Sequence, residues 1–334
     1  MVQSGAAIFS DPEAYQAAVH PAHVEILVTE KGDFRAELAR LELPRLWIQR
    51  SRENLPRIVH ATVTQDRPPI FFLADADQPS IRHKGRELAF GEIVVEGSGS
   101  THHHRSEGPC RWATLSLTRD DLAAAGRALV GRELTAPSVS QYLRPSPGAM
   151  LRLLNLHQAA GKFAERPNHI HAQPQLVRAF EHALLHVMVT CLSERAPVQT
   201  GWGTLHHGTI IARFEEVLAA NYDQPMYLAE ICAAIGASER TLRLSCMEHL
   251  GMGPVRYLWL RRMHLARRAL LLTAPGTRTV TEIAAANGFS ELGRFAVEYR
   301  ALFGEAPSAS LRRPAMEMRV SQTSPFGFAD SEYA

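Results

Sequence analysis

The sequence predicts an α+β protein: a β-sandwich or barrel with flanking helices, followed by an all-α domain. Three observations carry this. Residues 1–145 hold short β-branched or aromatic runs separated by turn residues. Residues 146–195 hold apolar stripes at helical spacing. Residues 206–313 hold one helix-turn-helix pattern twice.

The strands come first. Val24–Val28, Phe34–Leu38, Leu46–Gln49, Ile58–Val63, Ile70–Leu73, Phe90–Val95 and Trp112–Leu117 are the predicted runs. Turns fall at Glu30–Asp33 and Glu96–Ser100. Thr118-Arg-Asp-Asp121 reads as a capping box opening a helix. His102, His103 and His104 stand between strands, with His60 and His83 elsewhere in the region. Histidine is the commonest metal ligand, but three consecutive side chains cannot enter one cavity. On an extended segment His102 and His104 share a face and His103 opposes them. No Glu at the follow-on spacing completes a metal set. The order of readings is therefore a polar loop, then a small-molecule contact, then a catalytic metal. No metal and no cofactor is assigned. His102, His104 and Arg105 are the candidate effector residues, Arg105 and Arg111 being available to an anion.

Over 146–195, Met150–Leu156 and Leu176–Leu192 read as helices. Leu176, Phe180, Leu184, Val187 and Cys191 form a stripe on the second. Packing against the sheets and a dimer interface are equal readings of it. Ala196–Gly203 is polar with Pro and Gly, which suits a linker over 196–205.

The repeat comes next. Glu230-Ile-Cys-Ala-Ala-Ile-Gly-Ala-Ser-Glu239 aligns with Glu282-Ile-Ala-Ala-Ala-Asn-Gly-Phe-Ser-Glu291 at an offset of 52 residues. Beyond the turn the offset is 53: Leu242 matches Phe295, Cys246 matches Tyr299, and Gly251-x-x-Pro254 matches Gly304-x-x-Pro307. Gly236 and Gly288 sit where a first helix must stop. Ser238 and Ser290 are expected to cap the second helices, with Glu239 and Glu291 in their first turns. An αα-hairpin with a Gly turn is common, but two in register argue for DNA binding. The N-terminal part of a second helix enters the major groove. Its exposed residues are Arg240, Thr241 and Arg243 in one unit, and Leu292, Gly293, Arg294 and Val297 in the other. Arg suits guanine, while the apolar residues suit thymine methyls.

Between the units, Pro254–Leu272 reads as one helix with Trp259, Met263, Ala266 and Leu270 as its stripe. At about 30 Å it spans close to one turn of DNA. A solvated face and phosphate contact are equal readings of Arg261, Arg262, Arg267 and Arg268.

Ser238-x-Arg-Thr-Leu242, His249-Leu-Gly-Met-Gly-Pro254, Arg262-Met-His-Leu-Ala266, Val280-Thr-Glu-Ile-Ala284, Gly288-Phe-Ser290 and Phe303-Gly-Glu-Ala-Pro-Ser308 resemble the DNA-binding domain of the AraC/XylS family of transcriptional regulators. The resemblance covers about one third of the chain, residues 206–313. It departs at Leu244 and Cys246, where the family usually has Arg and Phe, and this places the expected contacts on Arg240 and Arg243. It implies a cupin-like N-terminal domain for effector sensing or dimerisation. It also implies double-stranded DNA as partner, and RNA polymerase if the chain activates.

The expected domains are 1–195, a linker at 196–205, the DNA-binding domain at 206–313, and a disordered tail at 314–334. The apolar fraction of 46% suffices for two cores. The net charge of +2 does not advertise nucleic acid, and residues 206–313 hold thirteen Arg against ten acids. No leader-like N-terminus and no run of eighteen apolar residues occurs, so a cytoplasmic location without membrane contact is expected. Cys110, Cys191, Cys232 and Cys246 are widely spaced, without a metal pattern. The rival from another class is a cupin-type metal-dependent enzyme with a helical appendage.

Overall fold

The computed structural model describes residues 3–20, 22–165, 173–193, 196–197, 202–221, 226–274 and 276–313. The expected tail at 314–334 lies outside them. The chain opens with β1 (Gln3–Phe9), α1 (Pro12–Ala18), β2 (Ala22–Val28), β3 (Ala36–Glu42), β4 (Trp47–Glu53), β5 (Arg57–Val63) and β6 (Pro69–Leu73). It continues with β7 (Ile81–His83), β8 (Arg86–Leu88), β9 (Ile93–Val95), β10 (Thr101–Ser106) and β11 (Cys110–Ser116). Then come α2 (Arg119–Val130), β12 (Gln141–Arg144), α3 (Pro147–Glu165), α4 (Pro174–Ser193) and β13 (Ala196–Pro197).

The strands build two antiparallel sheets, ordered β1-β3-β4-β11-β6-β9-β12-β13 and β2-β5-β10-β7-β8. Period-2 alternation sends Ile26, Val28, Val59 and Ala61 inward to meet Phe71, Leu73 and Trp112 of the other sheet. Lys84 (φ 51°) and Gly85 (φ 76°) join β7 to β8, and two left-handed residues in a row are what a type I′ hairpin requires. On the outer face of the larger sheet, α2, α3 and α4 bury Leu122, Met150, Leu153, Leu184 and Val187. Thr118 caps α2 through the Asp121 N–H, as its motif predicts.

Of the α4 stripe, Leu184, Val187 and Cys191 are in the core, Phe180 packs at its margin and Leu176 is exposed. Among the described helices, α4 alone is long and apolar enough to cross a membrane, but half of that apolar stretch is buried within the fold. No run of eighteen apolar residues marks it in the sequence, because Arg178, Glu181, His182 and His186 interrupt it.

The remaining helices are α5 (Trp202–Ala220), α6 (Leu228–Ile235), α7 (Glu239–Leu250), α8 (Pro254–Leu272), α9 (Val280–Ala286), α10 (Leu292–Phe303) and α11 (Pro307–Arg312). They share one core around α8, built on Phe214, Ile231, Leu242, Tyr257, Leu260, Met263, Ile283, Phe295 and Tyr299. Trp259, expected in that stripe, is only partly buried, and its indole turns to the surface to donate to Glu298 at 2.8 Å. Leu27 and Ile58, on the outer face of the smaller sheet, belong to this same core. The two domains are therefore docked. Of the expected linker at 196–205, Ala196–Pro197 form β13 against β12 and α5 begins at Trp202, while 198–201 lie outside the described residues.

Candidate nucleic-acid interface and the cavities behind it

Both units start their first helix in the same way. The Glu230 carboxylate accepts from the Tyr227 N–H at 2.8 Å, and that of Glu282 from the Thr279 N–H at 2.7 Å. The repeated Glu is thus a capping acid, a role that the sequence reading did not give it. Gly236 ends α6 in the left-handed region (φ 66°), where a side chain would be strained. Ser238 then caps α7, its hydroxyl accepting from the Thr241 N–H at 3.1 Å.

The second turn differs. Asn287 ends α9, Gly288 follows at φ 80°, and Glu291 occupies the cap of α10 without a side-chain bond. Ser290 is not the cap, and Glu291 lies one position before the first turn. The physical reason is the change of offset from 52 to 53 residues, which places one extra residue in this turn.

Arg240 and Arg243 are exposed on α7, with Thr241 half-buried between them. Leu292, Gly293, Arg294 and Val297 are exposed on α10. Arg243, Arg256, Trp259, Arg294 and Glu298 line one open groove of about 430 Å³ between the two helices. The Arg256 guanidinium lies 4.4 Å over the Trp259 ring, a cation–π pair that orients it. Arg294 donates to Glu298 at 2.8 Å, and that bond, against the opposing effect of burial, holds the Glu298 carboxyl below its usual range. Arg256 was not singled out from the sequence. Its spacing of three residues before Trp259 was the available signal.

Neither sequence reading of the α8 arginines describes Arg261 and Arg267, whereas Arg268 is exposed, as the solvated-face reading expects. Arg261 bridges Glu215 (2.8 Å) and Glu25 (3.9 Å), Arg267 bridges Asp11 (3.0 Å) and Glu305 (3.7 Å), and Arg268 reaches Glu13 (3.9 Å). Asp11, Glu13 and Glu25 belong to the N-terminal domain, so these cations join the domains. His264 Nε2 adds a contact to the Val28 carbonyl at 3.1 Å.

The histidine run is not a polar loop. It is the buried strand β10, because β5 and β7 pair with it on both sides. His102 and His104 face the space between the sheets, where a cavity of about 60 Å³ is lined also by Tyr15, Glu53, Arg57 and Glu96. Burial pushes the His102 imidazole down to about 3 and that of His104 well below its usual range, so both are neutral. An acid does complete the set, from upstream: Glu96 lies 2.7 Å from His83 Nε2 and 3.6 Å from His102 Nδ1. Arg105 is on the opposite face. It pairs with Glu107 at 2.9 Å and abuts Gly251, where an added Cβ would clash with its guanidinium. His103 also faces outward, into an interdomain cavity of about 350 Å³ that His60, His102, Glu215 and His249 line.

The family profile described as "Helix-turn-helix domain" matches residues 231–313. The chain is 31% identical over 112 residues to the XylDLEGF operon transcriptional activator 2 of Pseudomonas putida, covering 34% of this chain and 71% of that protein. The chain belongs to the AraC/XylS family. The chain is also similar to the probable thc operon regulatory protein of Rhodococcus erythropolis, 41% identical over 97 residues, 29% of each chain. The chain thus spans under a third of that relative's length, and 56% of the XylDLEGF operon transcriptional activator 3. Among solved structures, the AraC-like transcriptional activator CuxR is 18% identical over 84% of this chain and 99% of its own, with a TM-score of 0.40.

Proposed function

We propose that this AraC/XylS chain is a sequence-specific DNA-binding transcription regulator, non-enzymatic, that reads two successive major grooves. One observation carries the reading: Arg243 of α7 and Arg294 of α10 flank a single groove whose floor holds Arg256. Phosphates attract such cations, and recognition-helix N-termini reach base edges. Ser238, Glu239, Arg240, Thr241 and Arg243 form the more polar reading surface. Ser290, Glu291, Leu292, Gly293, Arg294 and Val297 form the more apolar one. A small-molecule effector acts at the N-terminal domain by favouring one domain arrangement. His102 lines both cavities and His104 the inner one, so these two are kept as its contacts, while Arg105 at Gly251 serves the domain contact instead. RNA polymerase contact, if the chain activates, and a homodimer belong to the same reading.

Footprinting on DNA around the chain's own gene, across a salt series, tests this. Two protected segments about one helical turn apart are expected. Arg240→Ala, Arg243→Ala and Arg294→Ala should each lower the salt slope by about 0.9 for a phosphate contact, or cost about 1–3 kcal/mol at one base for a guanine contact. Unchanged affinity in all three variants would remove these residues from the interface. Absence of any protected segment across the salt series would sink the reading itself.

A further inference from the structure

On the outer face of the smaller sheet, strand register sets Glu25, His60 and His103 side by side across β2, β5 and β10. α5 packs over this row and brings Glu215 to it. The His60 and His103 rings stack with centroids 4.6 Å apart and planes 11° from parallel. His103 Nε2 lies 3.3 Å from Glu215 Oε1. Glu215 is 5% exposed, and its Oε2 accepts from Arg261 at 2.8 Å. Its Oε1 is buried against His103 Nε2, which also lies 3.5 Å from the Tyr257 hydroxyl. One donor atom from each of His60, His103 and Glu215 lies within 4.8 Å of the others.

We propose that His60, His103 and Glu215 form a site for one divalent transition-metal ion of the zinc class, which ties the N-terminal domain to the DNA-binding domain. Two imidazole nitrogens and a carboxylate suit zinc, cobalt, nickel or copper rather than magnesium or calcium. A His₂Glu set leaves a coordination position open to water. Here that position faces the interdomain cavity of about 350 Å³. With bonds of about 2.1 Å, tetrahedral ligand atoms stand about 3.4 Å apart. His103 and Glu215 already have that spacing, and the His60 donor atom lies within 4.8 Å of both, close enough for a half-buried side chain to complete the set. Arg261 fixes the far oxygen of Glu215, as outer partners of metal-bound carboxylates do. Glu25 and Glu215 face Arg261 and leave an excess of one carboxylate to offset the ion.

The inner trio of His83, Glu96 and His102 is a second cluster with the same donor types. Its partners Tyr142 and Ser140 hold it within one domain, so it provides a control rather than a bridge. Because the bridging ligands come from both domains, the ion binds only the docked arrangement and stabilises it by mass action. Ion binding does not depend on the DNA-binding reading.

The test uses the full chain, stripped by a chelator and titrated with zinc sulfate. Bound zinc is counted by mass spectrometry, and thermal unfolding is followed with and without zinc. His60→Ala and Glu215→Gln should each bind one ion fewer than wild type, with any residual affinity at that site at least about tenfold weaker. Zinc should raise the wild-type Tm but leave that of His60→Ala unchanged, with the folded state verified by circular dichroism. Glu96→Gln should keep the bridging ion. Equal stoichiometry in wild type and His60→Ala, or no zinc retained by wild type, would overturn the proposal. Failure here with footprints intact leaves the regulator reading standing, and the converse holds.

Discussion

Docking of the two domains is testable with one side-chain truncation. Leu27 is 1% exposed and lies in the same apolar core as Phe214 and Tyr257, although it belongs to the N-terminal domain. Its neighbours Ile26 and Val28 point the other way, into the space between the sheets. Leu27→Ala therefore leaves the inner core of the β domain intact and opens a cavity only at the domain boundary. Truncating a buried Leu costs about 2–5 kcal/mol, from lost transfer energy and the cavity left behind. If the domains were apart in solution, Leu27 would lie on an open sheet face, and the change would fall within about 0.5 kcal/mol. The two cases differ several-fold. Urea unfolding of the full chain, followed by tryptophan fluorescence, measures the loss, with Leu272→Ala on the exposed face of α8 as a surface control. A loss for Leu27→Ala no larger than for the control would refute the docked arrangement.

Two more outcomes follow from the same geometry. Ser238→Ala should cost about 1 kcal/mol of stability by removing the α7 cap, whereas Ser290→Ala should cost almost nothing, because Glu291 holds the cap position of α10; equal losses in urea unfolding would contradict the extra residue in the second turn. Stability should fall as the pH drops from about 6.5 towards 4, because burial pushes His60 and His264 down to about 4, and His102 and His157 to about 3. The sign follows from proton counts: the unfolded chain binds protons at these imidazoles that the folded chain refuses, so their contribution is complete above 6.5. Glu13, raised to about 7 by burial, and Glu25, also raised by burial, pull the other way but are two groups against these four imidazoles. His264→Asn should flatten the urea midpoint against pH, and an unaltered profile would count against burial of that ring.

The helical half of the fold was legible because its signals are local. The Gly turns, the Ser238 cap and the apolar spacing of Leu242 and Cys246 all depend on residues within one helix. The inner/outer split of His102 and His103 was also legible, since period-2 alternation needs only an extended backbone. What stayed hidden depended on partners far along the chain. β10 read as a loop because its burial comes from β5 and β7, not from its own composition. Glu96 joined His83 and His102 through sheet register, which sequence spacing does not encode. Arg261 and Arg267 read as surface or phosphate-binding residues, because their acids come from distant segments: Glu215 and Glu305 of their own domain, and Glu25 and Asp11 of the other. The shift of offset from 52 to 53 was visible, yet it did not say on which side of Ser290 the extra residue falls.

The shared core has a cost during synthesis. Leu27 and Ile58 leave the ribosome with the N-terminal domain, while Phe214 and Tyr257 that cover them come 156 to 230 residues later in the chain. At about 5–20 residues per second, that apolar face waits on the order of ten to forty-five seconds for its cover. During this interval the nascent chain presents an uncovered sheet face to the crowded cell interior. Slowing translation over residues 100–210 would lengthen the exposure, and early completion of the C-terminal helices would shorten it. The vulnerability of this chain to aggregation is thus set by the order of its parts as much as by their final stability.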